Sequence, residues 1–153
     1  MKQLLSILIL CLLSKFAFAS SAVYEKTTNM GLDDTFNAVY HELEQRNFYV
    51  IFEANIAKNL ARFKEKWAEN YNRNNLGGIR SMVFCNASYA NKVSNVDPSM
   101  LALCPLHLTI IERSSEAHIL FVKPSFVGQG SAALPLLEEI ENTVIEAINA
   151  AIQ

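Results

Sequence analysis

Apolar positions along this chain follow two periods, and each period predicts an element. Ala22–Thr28 alternates weakly and carries the β-favouring Val23, Tyr24, Thr27 and Thr28, which predicts a first strand. Gly31-Leu32-Asp33-Asp34 then supplies a turn and helix-start acids, after which Phe36, Val39, Tyr40 and Leu43 recur at helical spacing to about Arg46. Phe48–Phe52, aromatic and β-branched, predicts a second strand. Ala57–Tyr71 reads as a second helix whose Leu60, Phe63, Trp67 and Tyr71 make one apolar stripe, expected in the core. After the polar loop Asn72–Gly78, a third strand runs from Ile79 to about Cys85, and Asn86–Met100 is a long polar connection. Leu106, Leu108 and Ile110 share one face of a fourth strand, Leu106–Glu112, and Ser114-Ser115 turns it into a hairpin partner, Ala117–Lys123. Pro124–Ala133 reads as a Gly/Ser-rich loop. A closing helix starts near Pro135 and places Leu137, Ile140, Val144, Ile148 and Ala151 on one side.

The order β-α-β-α-β-β-β-α with one hairpin predicts an α+β protein, a mostly antiparallel sheet with helices packed on one face. No repeat, linker or second domain interrupts residues 20–153.

Residues 1–19 follow a different pattern. Lys2 opens a largely apolar stretch from Leu4 to Leu13, and Ala17-Phe18-Ala19 ends it with small residues. These are the three parts of a secretory signal peptide cleaved after Ala19, and the stretch is too short for a bilayer that needs about 20 apolar residues. A lipoprotein site at Cys11 is disfavoured by the bulky Leu8-Ile9-Leu10 before it. The expected destination is the periplasm or the medium, with no membrane attachment after cleavage.

Composition changes the picture once that signal is set aside. The full chain of 153 residues is 51% hydrophobic with a formal charge of −2. Without Lys2 and Lys15, 11 basic and 15 acidic residues leave 134 residues at −4. That balance argues against nucleic acid, whose binders carry a basic excess. Few Gly and Pro residues, 5 and 4, exclude collagen-like and low-complexity classes.

Asp97-Pro98 followed by Cys104-Pro105-Leu106 at a strand entrance, with Asn86 at the preceding strand exit, resembles the domain-of-unknown-function 302 family. That family carries Gly-Asn-Pro at the strand exit, an Asp-Pro, and then Leu-Pro-Leu. The element order from about Ala22 to Ile152 agrees. The resemblance implies a TATA-binding-protein-like α+β fold, often dimeric, without an established activity. The chain departs from the pattern at Cys85 and Ala87, in place of Gly and Pro, and at Cys104, in place of Leu.

Those two cysteines end one strand and precede the next, so antiparallel neighbours bring them close. In an oxidising compartment an even pair reads first as a disulfide, which in the chain-entropy picture stabilises by about 3 kcal/mol. Alternatives are a redox-cycling pair, or metal or haem ligation at Cys104. Thioredoxin-like chemistry is disfavoured without Cys-x-x-Cys at a helix start.

Other constellations are weaker. Cys104 and His107 could chelate one ion only if Pro105 bends the chain, because strand positions three apart face opposite sides. His107 and His118 could face each other across the hairpin. His41 falls on the polar side of the first helix. Gly128-Gln129-Gly130-Ser131 has a dinucleotide-like spacing without its tight turn or following acidic residue, although amides before Pro135 could cradle an anion. Lys58, Arg62, Lys64 and Lys66 form a solvated basic side. Asn86-Ala87-Ser88 is a sequon that matters only on a eukaryotic route, and the resemblance implies a bacterial source. No nucleophile elbow occurs.

Three function classes follow: an exported binding or accessory module taking an apolar or anionic ligand between sheet and helices, a thiol- or metal-dependent protein using Cys85 and Cys104, and a dimeric interaction module. No catalytic set is apparent and no cofactor is expected.

Overall fold

The computed structural model describes residues 21–153, so the signal-peptide reading lies outside the described residues. Five strands form one antiparallel sheet: β1 (Val23–Thr28), β2 (Tyr49–Asn55), β3 (Gly78–Cys85), β4 (Leu106–Arg113) and β5 (Glu116–Val122), in the order β1-β5-β4-β3-β2. Two long helices, α1 (Leu32–Gln45) and α6 (Leu134–Ala151), close over one face. The α+β sandwich expected from the sequence is the fold.

Period-two patterning decides which face is covered. Met82 and Phe84 of β3, Leu108 and Ile110 of β4, and Ile119 and Phe121 of β5 are all buried. They meet Phe36, Val39 and Leu43 of α1 and Leu137, Val144 and Ile148 of α6 in one cluster. Burying each such side chain contributes about 1.5–3 kcal/mol relative to exposure. Among the described residues no helix covers the opposite face, and Val23, Phe52 and Val122 there stay 40%, 61% and 40% exposed. Asn47, in the left-handed region at φ 62, turns the chain out of α1, with its N–H bonded to the Glu44 carbonyl.

Three stretches differ from the sequence expectation. The stretch 57–71 is not one core-facing helix. It breaks into α2 (Ile56–Ala61), α3 (Lys64–Trp67) and a 3₁₀ turn, Ala68–Asn70, none with a buried residue. Phe63 and Trp67 are 48% and 37% exposed and stack on each other, ring centroids 5.2 Å apart. The reason lies in topology: this segment leaves the edge strand β2, its first helix packs mainly against β3, and residues 61–70 stay exposed among the described residues. The basic residues Lys58, Arg62, Lys64 and Lys66 are exposed, as expected.

The second difference runs the other way. Asn86–Met100 is largely helical: α4 spans Ala87–Val96 and a 3₁₀ helix spans Pro98–Leu103. The Asn86 side chain accepts the Tyr89 N–H at 3.1 Å, and the Asp97 side chain accepts the Ser99 N–H at 3.1 Å. Both are helix N-caps, and Pro98 takes the first position of the second helix, where its missing N–H costs nothing. A third short helix, α5 (Pro124–Val127), occupies the start of the loop before α6.

Candidate functional site

The unexpected helix α4 makes one wall of a recess at the end of the sheet. Phe48 and Phe84 form its floor, meeting edge to face at 5.9 Å, and Tyr89 stacks on Phe48 at 5.7 Å. Ala90 and Val93 of α4, Met100 and Leu101 of the 3₁₀ helix, and Leu137 and Ile140 of α6 complete an almost wholly apolar lining. The cavity is narrow, about 40 Å³, and opens to solvent. A space of that width admits the end of an aliphatic chain.

Polar side chains tie together the elements that line the recess. Tyr89 donates its hydroxyl hydrogen to Glu139 of α6 at 2.9 Å, tying α4 to α6. Burial pushes the Tyr89 phenol up, and Glu139 raises it further against an opposing contact from Thr143. Asp97 joins three segments: its Oδ1 accepts from Ser99, and its Oδ2 accepts the Ser131 hydroxyl at 2.5 Å. Those hydroxyls, Ser131 first, hold the Asp97 carboxyl below its ordinary value.

Both cysteines border this recess. Pairing of Phe84 with Leu106 fixes the ends of β3 and β4 side by side, and the Cys85 and Cys104 sulfurs stand 3.4 Å apart. That is a contact between free thiols; a covalent S–S distance is about 2.05 Å. Burial pushes the Cys104 thiol up to about 11, reinforced by the hydrogen bond and charge of Cys85. The Cys104–Pro105 peptide is cis.

The remaining sequence candidates take other places. Pro98 caps the 3₁₀ helix with Asp97, and Leu106 packs against the core and lines the recess. His107 is exposed opposite Val83, while Cys104 faces Cys85, so the metal pair has no third partner; among the described residues no group of three His, Cys, Asp or Glu could hold a metal. The two hairpin histidines do not meet across the strands. The register sets His118 opposite Ile111 and Thr27, because residues 107 and 118 differ by four positions along the ladder. His118 is buried, with Nδ1 2.9 Å from a Glu25 carboxylate oxygen and 3.4 Å from the Thr27 hydroxyl. His41 is exposed on α1.

The glycine loop is structural. Gly128 lies so close to Leu137 that a Cβ would meet the leucine Cδ1 at 2.1 Å, and Gly130 adopts φ 85. An anion cradle before α6 is opposed by the Asp97 carboxylate, which already lies against Ser131. Sequence reasoning missed Tyr89, Ala90 and Val93 because polar neighbours masked α4. The signal available was Tyr89 and Val93 at helical spacing behind the capping Asn86.

Known proteins agree with this architecture. The crystal structure of an uncharacterized conserved protein DUF302 from Bacillus stearothermophilus superposes with a TM-score of 0.74 at 18% identity, covering 86% of this chain and 99% of that one. No curated protein matches. The family described as "Domain of unknown function DUF302" matches residues 24–153. From Tyr24 to Gln153, therefore, the chain belongs to the DUF302 family.

Proposed function

We propose that this protein is an exported binding module whose recess takes the end of a small apolar ligand. The observation that carries the reading is the lining: aromatic and aliphatic side chains from β3, α4, the 3₁₀ helix and α6 converge on one open cavity. Ligand sites are commonly concave and mainly apolar, with a few polar groups that set orientation. Asn86 and the two thiols supply those groups here. The lining favours an apolar ligand over an anionic one. Export rests on the N-terminal pattern of residues 1–19, and sequencing of the secreted protein is expected to start at Ser20.

An aliphatic probe tests the reading. Three or four buried methylenes at about 0.8 kcal/mol each give n-hexanol a Kd of about 5–20 mM. Methyl NMR spectra should show saturable shifts at Met100, Leu101 and Ile140. Ala90→Phe, which fills the recess from α4, should abolish them. No saturation in the wild type, or unchanged saturation in Ala90→Phe, contradicts a ligand in this recess.

A second reading is favoured by the uncovered sheet face. Val23, Phe52 and Val122 there would pack against a second copy, giving a dimer. Light scattering at micromolar concentration separates the two masses, and Phe52→Lys should leave a monomer. A wild-type monomer rejects this reading and leaves the recess untouched.

A further inference from the structure

We propose that Cys85 and Cys104 are a thiol–disulfide exchange site that narrows the recess when a small-molecule disulfide oxidises them. The proposal rests on the reading of the recess as a ligand site. Three observations carry it. The sulfurs are already 3.4 Å apart across 19 residues of sequence, held there by the antiparallel pairing of β3 with β4. Both cysteines are partly exposed, so a small reagent reaches them. They come from two different walls, Cys85 from the end of β3 and Cys104 from the end of the 3₁₀ helix, and both border the cavity.

The exchange balances without any further reactant. The Cys85 thiolate attacks one sulfur of a small disulfide, forming a mixed disulfide and releasing one reduced thiol. Cys104, in contact, then loses its proton to solvent and attacks the Cys85 sulfur, expelling the second thiolate, which takes up a proton. Two protein thiols are oxidised and one external disulfide becomes two thiols. Cys104 suits the second role. Its raised pKa makes it a poor attacker from solution, whereas held against Cys85 it reacts within the molecule. Closing from 3.4 Å to a bonded distance of about 2.05 Å draws the β3 exit and the 3₁₀ helix together and pinches the cavity between them. In a space of about 40 Å³ a small contraction excludes part of a ligand.

The test equilibrates the protein with mixtures of reduced and oxidised glutathione, quenches with acid, and weighs the alkylated products. The expected product is lighter by two hydrogens, carries no glutathione, and forms in one two-electron transition. Cys104→Ser should instead retain one glutathione on Cys85. Hexanol titration is then repeated on both forms, and the oxidised form should bind about fourfold more weakly for each methylene no longer buried. Cys85→Ser/Cys104→Ser should show one hexanol affinity that does not change between reducing and oxidising buffer. A wild type that stays reduced, or that stops at a stable glutathione adduct, overturns the exchange site. Equal hexanol affinity in the two forms overturns the narrowing and leaves the ligand reading intact. Failure of the reduced protein to bind hexanol defeats the ligand reading, and the narrowing with it, while the mass result still decides the exchange site.

Discussion

Cys104 behaves differently from an ordinary thiol because its surroundings favour the neutral form. Burial, with Cys85 beside it, raises its pKa to about 11 from an ordinary 9.0, so the thiolate at pH 8 is much scarcer than that of a free cysteine. Alkylation of Cys104 in a Cys85→Ser variant will be slowed less, since that change removes the hydrogen bond and charge of Cys85 and leaves the burial. In the reduced wild type the alkylation rate at Cys104 should still climb above pH 9, and a plateau near pH 9 would show an unperturbed thiol. The linkage has a definite sign. The folded chain binds this proton more tightly than the unfolded one, so the contribution to stability is full below pH 9 and is lost as pH rises through 11. Aromatic residues separate along a second axis, burial. Phe84→Ala should cost about 3–5 kcal/mol in denaturant unfolding, because it empties the core under the sheet. Phe63→Ala and Trp67→Ala should cost less than about 1 kcal/mol each, since both rings face solvent. A large loss at Trp67 would mean that the stripe is core after all. At this scale the sequence was half legible: Leu137, Ile140 and Val144 read correctly as core, whereas Leu60, Phe63 and Trp67 satisfy the same spacing and are not buried. Periodicity reports that a face exists. It does not report whether another element covers it.

At the scale of elements, the segment from Asn86 to Leu103 organises the site. Two side-chain caps, Asn86 and Asp97, start its two helices, and Asp97 also reaches Ser131 ahead of α6. Asn86→Ala removes one cap and should lower stability by about 1 kcal/mol. Asp97→Asn keeps the shape and removes the charge. The native carboxyl titrates below its ordinary value of 3.8, so the folded chain binds fewer protons than the unfolded chain as acid is added. The stability from Asp97 is therefore present above about pH 4 and fades as pH falls through the lower native value. Asp97→Asn should flatten the acid side of a stability–pH curve, and an unchanged acid side would remove Asp97 from this role. The Asp-Pro that carried the resemblance to the family thus has a physical task here: it ends one helix, starts the next and pins the α6 loop. The sequence showed the motif but hid the helix before it, because Ser88, Asn91, Lys92, Ser94 and Asn95 crowd out the two apolar positions, Tyr89 and Val93, that face inward.

For the whole molecule, the antiparallel sheet and its single covered face were legible because five strands alternate or run apolar in the right sequence and two long helices carry continuous stripes, whereas the strand order β1-β5-β4-β3-β2 was not. The recess was not, since it is made by convergence of β3, α4, the 3₁₀ helix and α6 from distant parts of the chain. Charge adds a second asymmetry. Residues 56–76 hold five basic and two acidic side chains, while the remaining described residues hold six and thirteen. Xenon probes the recess itself, because the gas enters apolar cavities without hydrogen bonds or charge. In crystals of the reduced protein under xenon pressure, an ordered atom should appear between Phe48, Tyr89, Met100 and Ile140, and Ala90→Phe crystals should lack it. Xenon absent from the wild-type recess, or unaffected by Ala90→Phe, would contradict the account.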